Sequence, residues 1–498
     1  MAIRIYNTMT RRKEDFSPYR EGKVGMYCCG PTVYDYFHIG NARAFVIPDM
    51  IRKYLKFRGY EVTYVQNVTD IEDKIIARAK ERGVSTKDVV EQYTKAFFDD
   101  RAALGVGAPD FQPRATEHVE DIVKTVADLM AKGHAYESGG DVYFDVSSFE
   151  GYGKLSGQNP DELKSGARVD VSEQKDDPLD FVLWKSAKPG EPSWDSPWGP
   201  GRPGWHIECS VMSAGYLGGK VDIHLGGSDL IFPHHENEIA QSESLGNGEF
   251  VKYWMHNAMV NVDGERMGKS MGNFFTVRDI LKEFPGKAVR YYLVASHYRQ
   301  PISFGLDELE MCLKALTKLE ECITNAMKAF GLSPQDIKDA AKIGRDALPV
   351  KDEAAKALTE AADSSMKTFC DFMDDDFNTS GAMSMLHELS RAVNSWTASG
   401  DRRPEAAKAA AYAASKLWTM GSVLGFMDEA TLETKAAAGL PVCEDLSGSL
   451  MELILSIRAQ ARSKKDWGMS DFIRDGLKEL GITVEDTRDG ARWKLERK

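Results

Sequence analysis

The sequence is poor in cysteine, has no excess of positive charge and contains no long uninterrupted apolar run. Seven cysteines, at 28, 29, 209, 312, 322, 370 and 443 of 498 residues, make an odd and scattered set. That argues against a disulfide framework and leaves reduced thiols or metal ligands. With 63 Lys and Arg against 76 Asp and Glu, the net charge of −13 argues against a chain that coats nucleic acid non-specifically. The most basic region is Met451–Lys498, where eleven Lys and Arg face nine Asp and Glu. No apolar run reaches the length of about 18 residues that a membrane span needs. The start, Met1-Ala2-Ile3-Arg4-Ile5-Tyr6, has neither the apolar core nor the cleavage site of a secretion signal. The expectation is a soluble cytoplasmic protein without membrane contact.

What is present is ordinary globular composition, 42% hydrophobic and 28% charged, over a length that suggests about three to four domains. Gly25–Tyr64 reads as strand, Gly30-Pro31 turn, helix and strand. Ile39, Phe45, Val46, Met50, Ile51, Tyr54 and Leu55 recur at helical spacing before the β-branched run Val62-Thr63-Tyr64-Val65. Such a βαβ unit predicts a parallel sheet with a ligand at the carboxyl ends of its strands. Pro48 conflicts with the helix, because an interior proline removes a hydrogen bond.

From about Pro113 to Pro203 the pattern changes to a helix (Glu117–Lys132), short alternating strands and a stretch rich in Pro, Gly and Trp. The βα alternation resumes at Val221-Asp222-Ile223-His224, with a helix opening at Pro233 and His234. The expected fold is α/β: a Rossmann-like parallel sheet split by an insertion, then a helical bundle and a small C-terminal module. The expected boundaries are 1–112 and 204–262 for the two halves of the catalytic domain, 113–203 for the insertion and 263–305 for a signature-loop region. The bundle is expected at 306–434 and the last module at 446–498.

Three constellations carry chemistry. Phe37-His38-Ile39-Gly40-Asn41 begins the first helix, where backbone amides and the positive dipole end favour phosphate. His38 and Asn41 add donors, and Gly40 permits close approach of a base or ribose. Asp263-Gly264-Glu265-Arg266-Met267-Gly268-Lys269-Ser270-Met271-Gly272-Asn273 places Arg266 and Lys269 in a glycine-rich loop, suited to a transferring polyphosphate. By itself it better describes a solvated basic loop. Cys29, Cys209, and His234 with Glu238 four residues on, make a donor set suited to Zn²⁺. Cys29 and Cys209 are 180 residues apart, so buried structural thiols remain an alternative, and His235 reads as a supporting or solvated residue.

The three constellations occur together with Cys29-Gly30-Pro31-Thr32-Val33-Tyr34-Asp35, Asn67-Val68-Thr69-Asp70-Ile71-Glu72-Asp73-Lys74-Ile75, Pro203-Gly204-Trp205-His206-Ile207-Glu208-Cys209 and Gly226-Gly227-Ser228-Asp229-Leu230-Ile231-Phe232-Pro233-His234-His235-Glu236-Asn237-Glu238. In this the chain closely resembles the cysteinyl-tRNA synthetases, class I aminoacyl-tRNA synthetases, along almost its whole length. The resemblance implies a cysteine–tRNA ligase that activates L-cysteine with ATP and Mg²⁺ to an adenylate and passes it to tRNA(Cys). The first constellation corresponds to the HIGH signature and the loop to the KMSKS signature. His38, Asn41 and Lys269 are then the catalytic contacts to the phosphates. Thr32, Gly40, Thr69, Trp205, Gly227, Ser228, Asp229, Arg266 and Ser270 belong to the ATP or adenylate site.

The resemblance also implies one Zn²⁺ per chain, held by Cys29, Cys209, His234 and Glu238. Pocket volume alone separates such small side chains by only about 1–3 kcal/mol, whereas a soft metal holds a thiol as thiolate and takes a hydroxyl far less readily. Lys465 and Trp467 are the candidate tRNA contacts, with a packed core position as the alternative for Trp467. Met373-Asp374-Asp375-Asp376-Phe377-Asn378-Thr379 matches the bundle, and its acidic run reads as a helix N-terminal cap. A monomer is expected.

Asn41 stands where the family signature usually has its second His, and Arg266 and Gly268 stand where the loop usually has Lys and Ser. Altered ATP affinity or loop dynamics follow as expectations. The rival readings are a ligase that passes cysteine to an amino-sugar, disfavoured by the helical bundle and basic tail, and a catalytically lost binding protein, disfavoured by Lys269, Ser270 and the complete donor set.

Overall fold

The computed structural model describes residues 2–159, 174–262, 265–266, 274–345, 348, 350–433, 444–464, 466–479, 482–487 and 490–495. They divide into two compact units, Met1–Thr431 and Leu432–Lys498. Lys269 and Ser270, with Gly268, lie outside the described residues, as does Lys465; Arg266 is described in its backbone alone.

In the first unit a short antiparallel pair, β1 (Arg4–Asn7) and β2 (Arg12–Asp15), precedes β3 (Lys23–Cys28), α1 (Ile39–Phe57) and β4 (Glu61–Gln66). Helices α2 (Asp73–Arg82), α3 (Thr86–Ala103) and α4 (Val119–Ala131) follow, then strands β5 (Ala135–Ser138), β6 (Asp141–Phe144), β7 (Phe181–Ser186) and β8 (Gly201–Pro203). The chain returns through α5 (Trp205–Leu217), β9 (Val221–Gly227), α6 (Glu236–Ser242) and β10 (Val251–Asn257).

The central sheet has the order β10-β9-β3-β4, and every pairing in it is parallel, as the βαβ reading expects. Its strands are apolar almost throughout because both faces are covered, and all seven residues of β9 are buried. Strand order runs to one side from β3 to β4 and to the other from β3 to β9. The crevice at the carboxyl ends of β3 and β9 is thus a topological switch point, where open α/β sheets bind ligands.

Helix α1 runs unbroken through Pro48. Proline lacks the N–H that would bond to the Ala44 carbonyl four residues back. The Cys28 thiol stands there instead, its sulfur 3.7 Å from Ala44 O and 3.5 Å from Cys29 O, so its one proton is shared between the two carbonyls. Burial pushes that thiol up to about 12, so it stays protonated and able to donate. A neighbouring strand thus eases the conflict seen in the sequence.

Strands β5 to β8 form a separate antiparallel sheet. Its Phe144, Phe181, Leu183 and Trp184 pack with Ile122, Val126 and Leu129 of α4 in one core cluster. The last strand delivers Trp205: Arg202 is paired with Asp73, Gly204 N–H donates to Leu183 O at 2.8 Å, and α5 begins at Trp205.

Beyond β10 come β11 (Val260–Val262), β12 (Glu265–Arg266), α7 (Val277–Glu283), α8 (Gly286–Ala295) and β13 (Ile302–Phe304), with β11 between the other two strands. The helical part holds α9 (Leu306–Phe330), α10 (Pro334–Lys342), α11 (Glu353–Asp374), α12 (Thr379–Ala398) and α13 (Pro404–Leu424). Asn378 is the N-cap of α12, its side chain accepting from Gly381 N–H.

The acidic run before it does different work from the capping read in the sequence. Asp374 accepts from Tyr54 at 2.6 Å and pairs with Arg58, and Asp375 pairs with Lys13 at 2.8 Å. Asp376, fully buried, accepts from Tyr6 N–H at 2.8 Å, Tyr298 at 2.7 Å and Arg299 at 2.8 Å. Three consecutive carboxylates bind the bundle to the sheet domain, a role set by partners far away in sequence.

The second unit contains helices Glu444–Ser463 and Trp467–Glu479 and an antiparallel hairpin of Ile482–Thr487 with Gly490–Leu495. Trp467 is 58% exposed at the start of its helix, so it is not the packed core residue of the alternative reading. Among the described residues no helix is long and apolar enough to cross a membrane.

Candidate active site

A cavity of about 470 Å³ opens at the switch point. Cys29, Gly30 and Thr32 enter its wall from the loop after β3, His38, Gly40 and Asn41 from the start of α1, and Trp205 from the start of α5. Gly227 and Asp229 enter from the end of β9, and Asn257 to Val260 from the link between β10 and β11. Two expected residues lie elsewhere. Ser228 is not part of the wall, and Thr69 is buried behind it, donating its hydroxyl to Glu208 at 2.8 Å. The loop after β3 tolerates no side chain at Gly30, where a Cβ would overlap the Asn67 carbonyl oxygen.

At the start of α1, Asn41 N–H donates to His38 Nδ1 at 3.2 Å, and His38 N–H donates to the Asn41 side-chain oxygen at 3.3 Å. This is a capping box. A ring whose Nδ1 accepts carries its proton on Nε2, so His38 Nε2 and Asn41 Nδ2 are the donating atoms of the pair. Asn41 thereby keeps the donor that the sequence assigned to it and also caps its own helix.

Behind this wall the four donors expected for a metal converge. Single ligand atoms of Cys29, Cys209, His234 and Glu238 lie within 4.8 Å of one another, and all four residues are buried. Cys29 Sγ is 3.6 Å from Cys209 Sγ and 3.5 Å from Glu238 Oε1, and His234 Nε2 is 3.1 Å from Glu238 Oε1. These separations approach the edges of about 3.3–3.8 Å expected of a zinc tetrahedron built from N, O and S ligands. His234 Nε2 lies out of line with Glu238 and makes no hydrogen bond, a buried nitrogen aimed into the cluster.

The regular helix starts only at Glu236, later than the sequence pattern suggests. Extended backbone at Phe232 and a wide turn over Ile231–His235 come first, and this turn still brings His234 to Glu238.

The charges suit a divalent cation. Burial holds the Cys29 thiol protonated, whereas Cys209, with Cys29 and His234 beside it, is pulled down to about 6. Burial opposes a charge on His234, but its contacts with Cys209 and Glu238 carry it up to about 10. Burial likewise opposes the Glu238 carboxylate, and His224 and His234 beside it bring it down to about 2. One thiolate and one carboxylate thus face protons that a cation displaces on binding.

The sequence reading missed what surrounds this set. His224 Nε2 holds Glu238 Oε2 at 2.9 Å, leaving Oε1 toward the cluster, and His206 Nδ1 meets His234 Nδ1 at 3.0 Å. His235 is fully buried, which selects the supporting role over the solvated one. Its Nε2 is 3.4 Å from Cys29 Sγ and its Nδ1 is 2.8 Å from His256 Nε2, and His256 continues to Thr8 at 2.8 Å. Burial keeps His206, His235 and His256 neutral. Such partners orient metal ligands and fix their tautomers. The one available signal for His224 and His256 was their place inside apolar strand runs, since β9 is buried throughout and β10 almost throughout.

Cys29, His224, His235 and Glu238 form a second convergent set that shares two members with the first. The first set is the one in touch with the cavity. Cys29 lines it, and Trp205, which also lines it, stacks on His234 with ring centroids 4.2 Å apart.

Residues 15–314 match the family model described as the tRNA synthetases class I (C) catalytic domain, residues 368–428 match the DALR domain, and residues 450–493 match the Cysteinyl-tRNA ligase anticodon binding domain. Two solved structures share the fold. A LeuRS–tRNA–LeuAMS ternary complex from Agrobacterium radiobacter superposes with a TM-score of 0.62 at 12% identity, covering 86% of each chain. A Mycobacterium tuberculosis methionyl-tRNA synthetase in complex with methionyl-adenylate does so with a TM-score of 0.58 at 16% identity, covering 87% of this chain and 94% of that one. Fold and site together define a class I aminoacyl-tRNA synthetase.

Within that class the relatives are specific. A Cysteine–tRNA ligase of Desulfitobacterium hafniense is 48% identical over 497 residues, covering 100% of both chains. One of Heliobacterium modesticaldum is 49% identical over 497 residues, covering 99% of this chain and 100% of its own. The chain belongs to the cysteine–tRNA ligase family and is an aminoacyl-tRNA ligase.

Proposed function

We propose that this chain activates L-cysteine with ATP to cysteinyl-adenylate and transfers it to tRNA(Cys), with Zn²⁺ held by Cys29, Cys209, His234 and Glu238 selecting the thiol. The observation that supports this most directly is the convergence of those four donors directly behind a cavity whose wall carries His38, Gly40 and Asn41. When bound, zinc supplies a soft Lewis acid that favours a thiolate over a hydroxyl.

The protein's own groups do the rest. His38 Nε2, Asn41 Nδ2 and the start of α1 offer donors and a positive dipole to the ATP phosphates, which Mg²⁺ accompanies. Lys269, with Arg266 and Ser270, is assigned on its motif to the departing pyrophosphate. Gly227 and Asp229 take the ribose side, and Trp205 closes the amino-acid end while holding His234 in plane. Thr69 acts from behind the wall through Glu208, and Ser228 supports the turn between its two neighbours. No side chain is needed as a nucleophile, since the cysteine carboxylate attacks the α-phosphate and catalysis rests on positioning and charge stabilisation. Trp467, exposed in the second unit, is the proposed stacking residue for an unpaired tRNA base, with Lys465 assigned on sequence alone.

Cysteine-dependent ATP–pyrophosphate exchange on metal-analysed protein, with serine as competitor, tests the reading. Volume discrimination alone reaches about 10–200-fold. A cysteine preference well above that range, one zinc per chain and charging of tRNA(Cys) are expected. A preference within the range would reject the metal as selector, and exchange without charging would point to a different acceptor.

A further inference from the structure

Arg43 sits one turn into α1 and is fully buried. Its Nη1 donates to Ala258 O at 3.0 Å and to Met259 O at 3.5 Å, and its Nη2 donates to His297 O at 3.0 Å. Its Nε has no partner. Among the described residues no carboxylate lies within ion-pair distance of it. Arg290, equally buried, is built in the usual way, with Asp49 2.6 Å from its Nη2. A buried cation is normally paired, so a guanidinium spent wholly on backbone carbonyls marks those carbonyls as worth holding.

Two of these carbonyls, those of Ala258 and Met259, belong to the link between β10 and β11, whose Asn257, Ala258, Met259 and Val260 line the cavity together with His38, Gly40 and Asn41. Arg43 therefore joins two walls of one site, the helix start and the link that leads into the Asp263–Asn273 loop. The link is fixed on its other side as well, since Ala258 N–H donates to Tyr298 O at 2.9 Å. The peptide between Ala258 and Met259 is trans, so its C=O and N–H point in opposite directions. With Ala258 O turned to Arg43, the Met259 N–H is turned away from it. That N–H finds no hydrogen-bond partner among the described residues, although Met259 lies at the cavity wall.

We infer that Arg43 is a positioning residue of the nucleotide site: by gripping Ala258 O and Met259 O it presents the Met259 N–H as a fixed donor to N1 of the purine base. This rests on the placement of ATP in the cavity proposed above. A donor set in place by a buried fork costs no reorganisation when the base arrives.

The test pairs ATP with 1-deaza-ATP, which lacks one ring acceptor, in cysteine-dependent pyrophosphate exchange. The unaltered enzyme is expected to lose at least about fivefold in kcat/KM on the analogue, the size of one hydrogen bond left unmade. Arg43→Lys keeps the charge and loses the fork. It is expected to raise the KM for ATP by at least about fivefold and to shrink the analogue penalty toward none, with zinc content and the KM for cysteine unchanged. Arg43→Gln, a shorter neutral donor, is expected to behave as Lys does or worse.

An unaltered enzyme that uses both nucleotides equally overturns the inference without any variant, as does an Arg43→Lys enzyme that keeps the full penalty. Parallel rises in both KM values with loss of zinc would reduce Arg43 to a fold element. His38→Ala separates the two readings. If it leaves ATP use unchanged, the nucleotide placement itself fails. If it raises the KM for ATP while the Arg43 variants match the parent, only the inference about Arg43 fails.

Discussion

Replacing Cys209 by serine is expected to strip the zinc and to lower cysteine-dependent ATP–pyrophosphate exchange by at least about a hundredfold, because even residues that only support metal ligands cost about 10–100-fold. The substitution is nearly isosteric at a position only 2% exposed, so the fold is expected to survive it. What changes is the donor. Cys209 is the thiol that its neighbours pull down to about 6, while serine stays a hydroxyl at neutral pH and binds zinc poorly. Cys28→Ser is the matched control. That thiol is the sequence neighbour of Cys29 and as buried as Cys209, but it faces Ala44 O and is held protonated, so zinc and exchange should stay near the parent values. Metal analysis and exchange on the two variants check the assignment. Equal losses in both would mean that the thiols act through packing alone.

Asp49→Ala is expected to destabilise the protein by about 3–5 kcal/mol, the range for leaving a buried charge without its partner. Asp49 is 1% exposed and accepts from Arg290 at 2.6 Å and from Gly107 N–H at 3.1 Å, with Lys53 3.2 Å away. Arg290 also donates to Gly105 O and Leu424 O, both at 2.9 Å, so the pair locks α1 and α8 to the end of α13.

The deficit should depend on pH with a definite sign. Burial raises the Asp49 carboxyl, but Arg290 and Lys53 outweigh it and hold the group below its ordinary value of 3.8. A group depressed in the folded state stabilises above its unfolded pKa and loses that contribution as pH falls through the folded value. Denaturant titrations should therefore show the full gap between parent and variant at neutral pH and a narrowing gap below about pH 4. A gap that is constant with pH would assign the loss to the cavity left by the side chain.

Much of the catalytic half was legible because its signals are local. The turn after β3, the amphipathic spacing of α1 and the β-branched run of β4 are short-range patterns, and they produced the parallel sheet that is observed. The donors Cys29, Cys209, His234 and Glu238 were legible through strings that resemble a family, since nothing in a separation of 180 residues says that two thiols meet. His235 was left between a supporting and a solvated role because a histidine beside a candidate ligand carries no local mark of burial. The acidic run at Asp374 to Asp376 was misread as a cap because its partners, Tyr54, Arg58, Lys13, Tyr6 and Arg299, come from elements 77 to 370 residues away.

The sequence by itself determined the α/β class, the order of the elements and the family resemblance that named Cys29, Cys209, His234 and Glu238 as candidate donors, because these depend on residue type and on local strings. Only the tertiary structure decided that His224, His206 and His256 back those donors, that Cys28 faces the carbonyl freed by Pro48, and that Arg43 is buried against two carbonyls of the cavity wall. The physical reason is the same in each case. Whether a polar group is buried, and which partner then satisfies it, depends on contacts between segments distant in the chain, and one residue's type or its place in a helix carries no record of them.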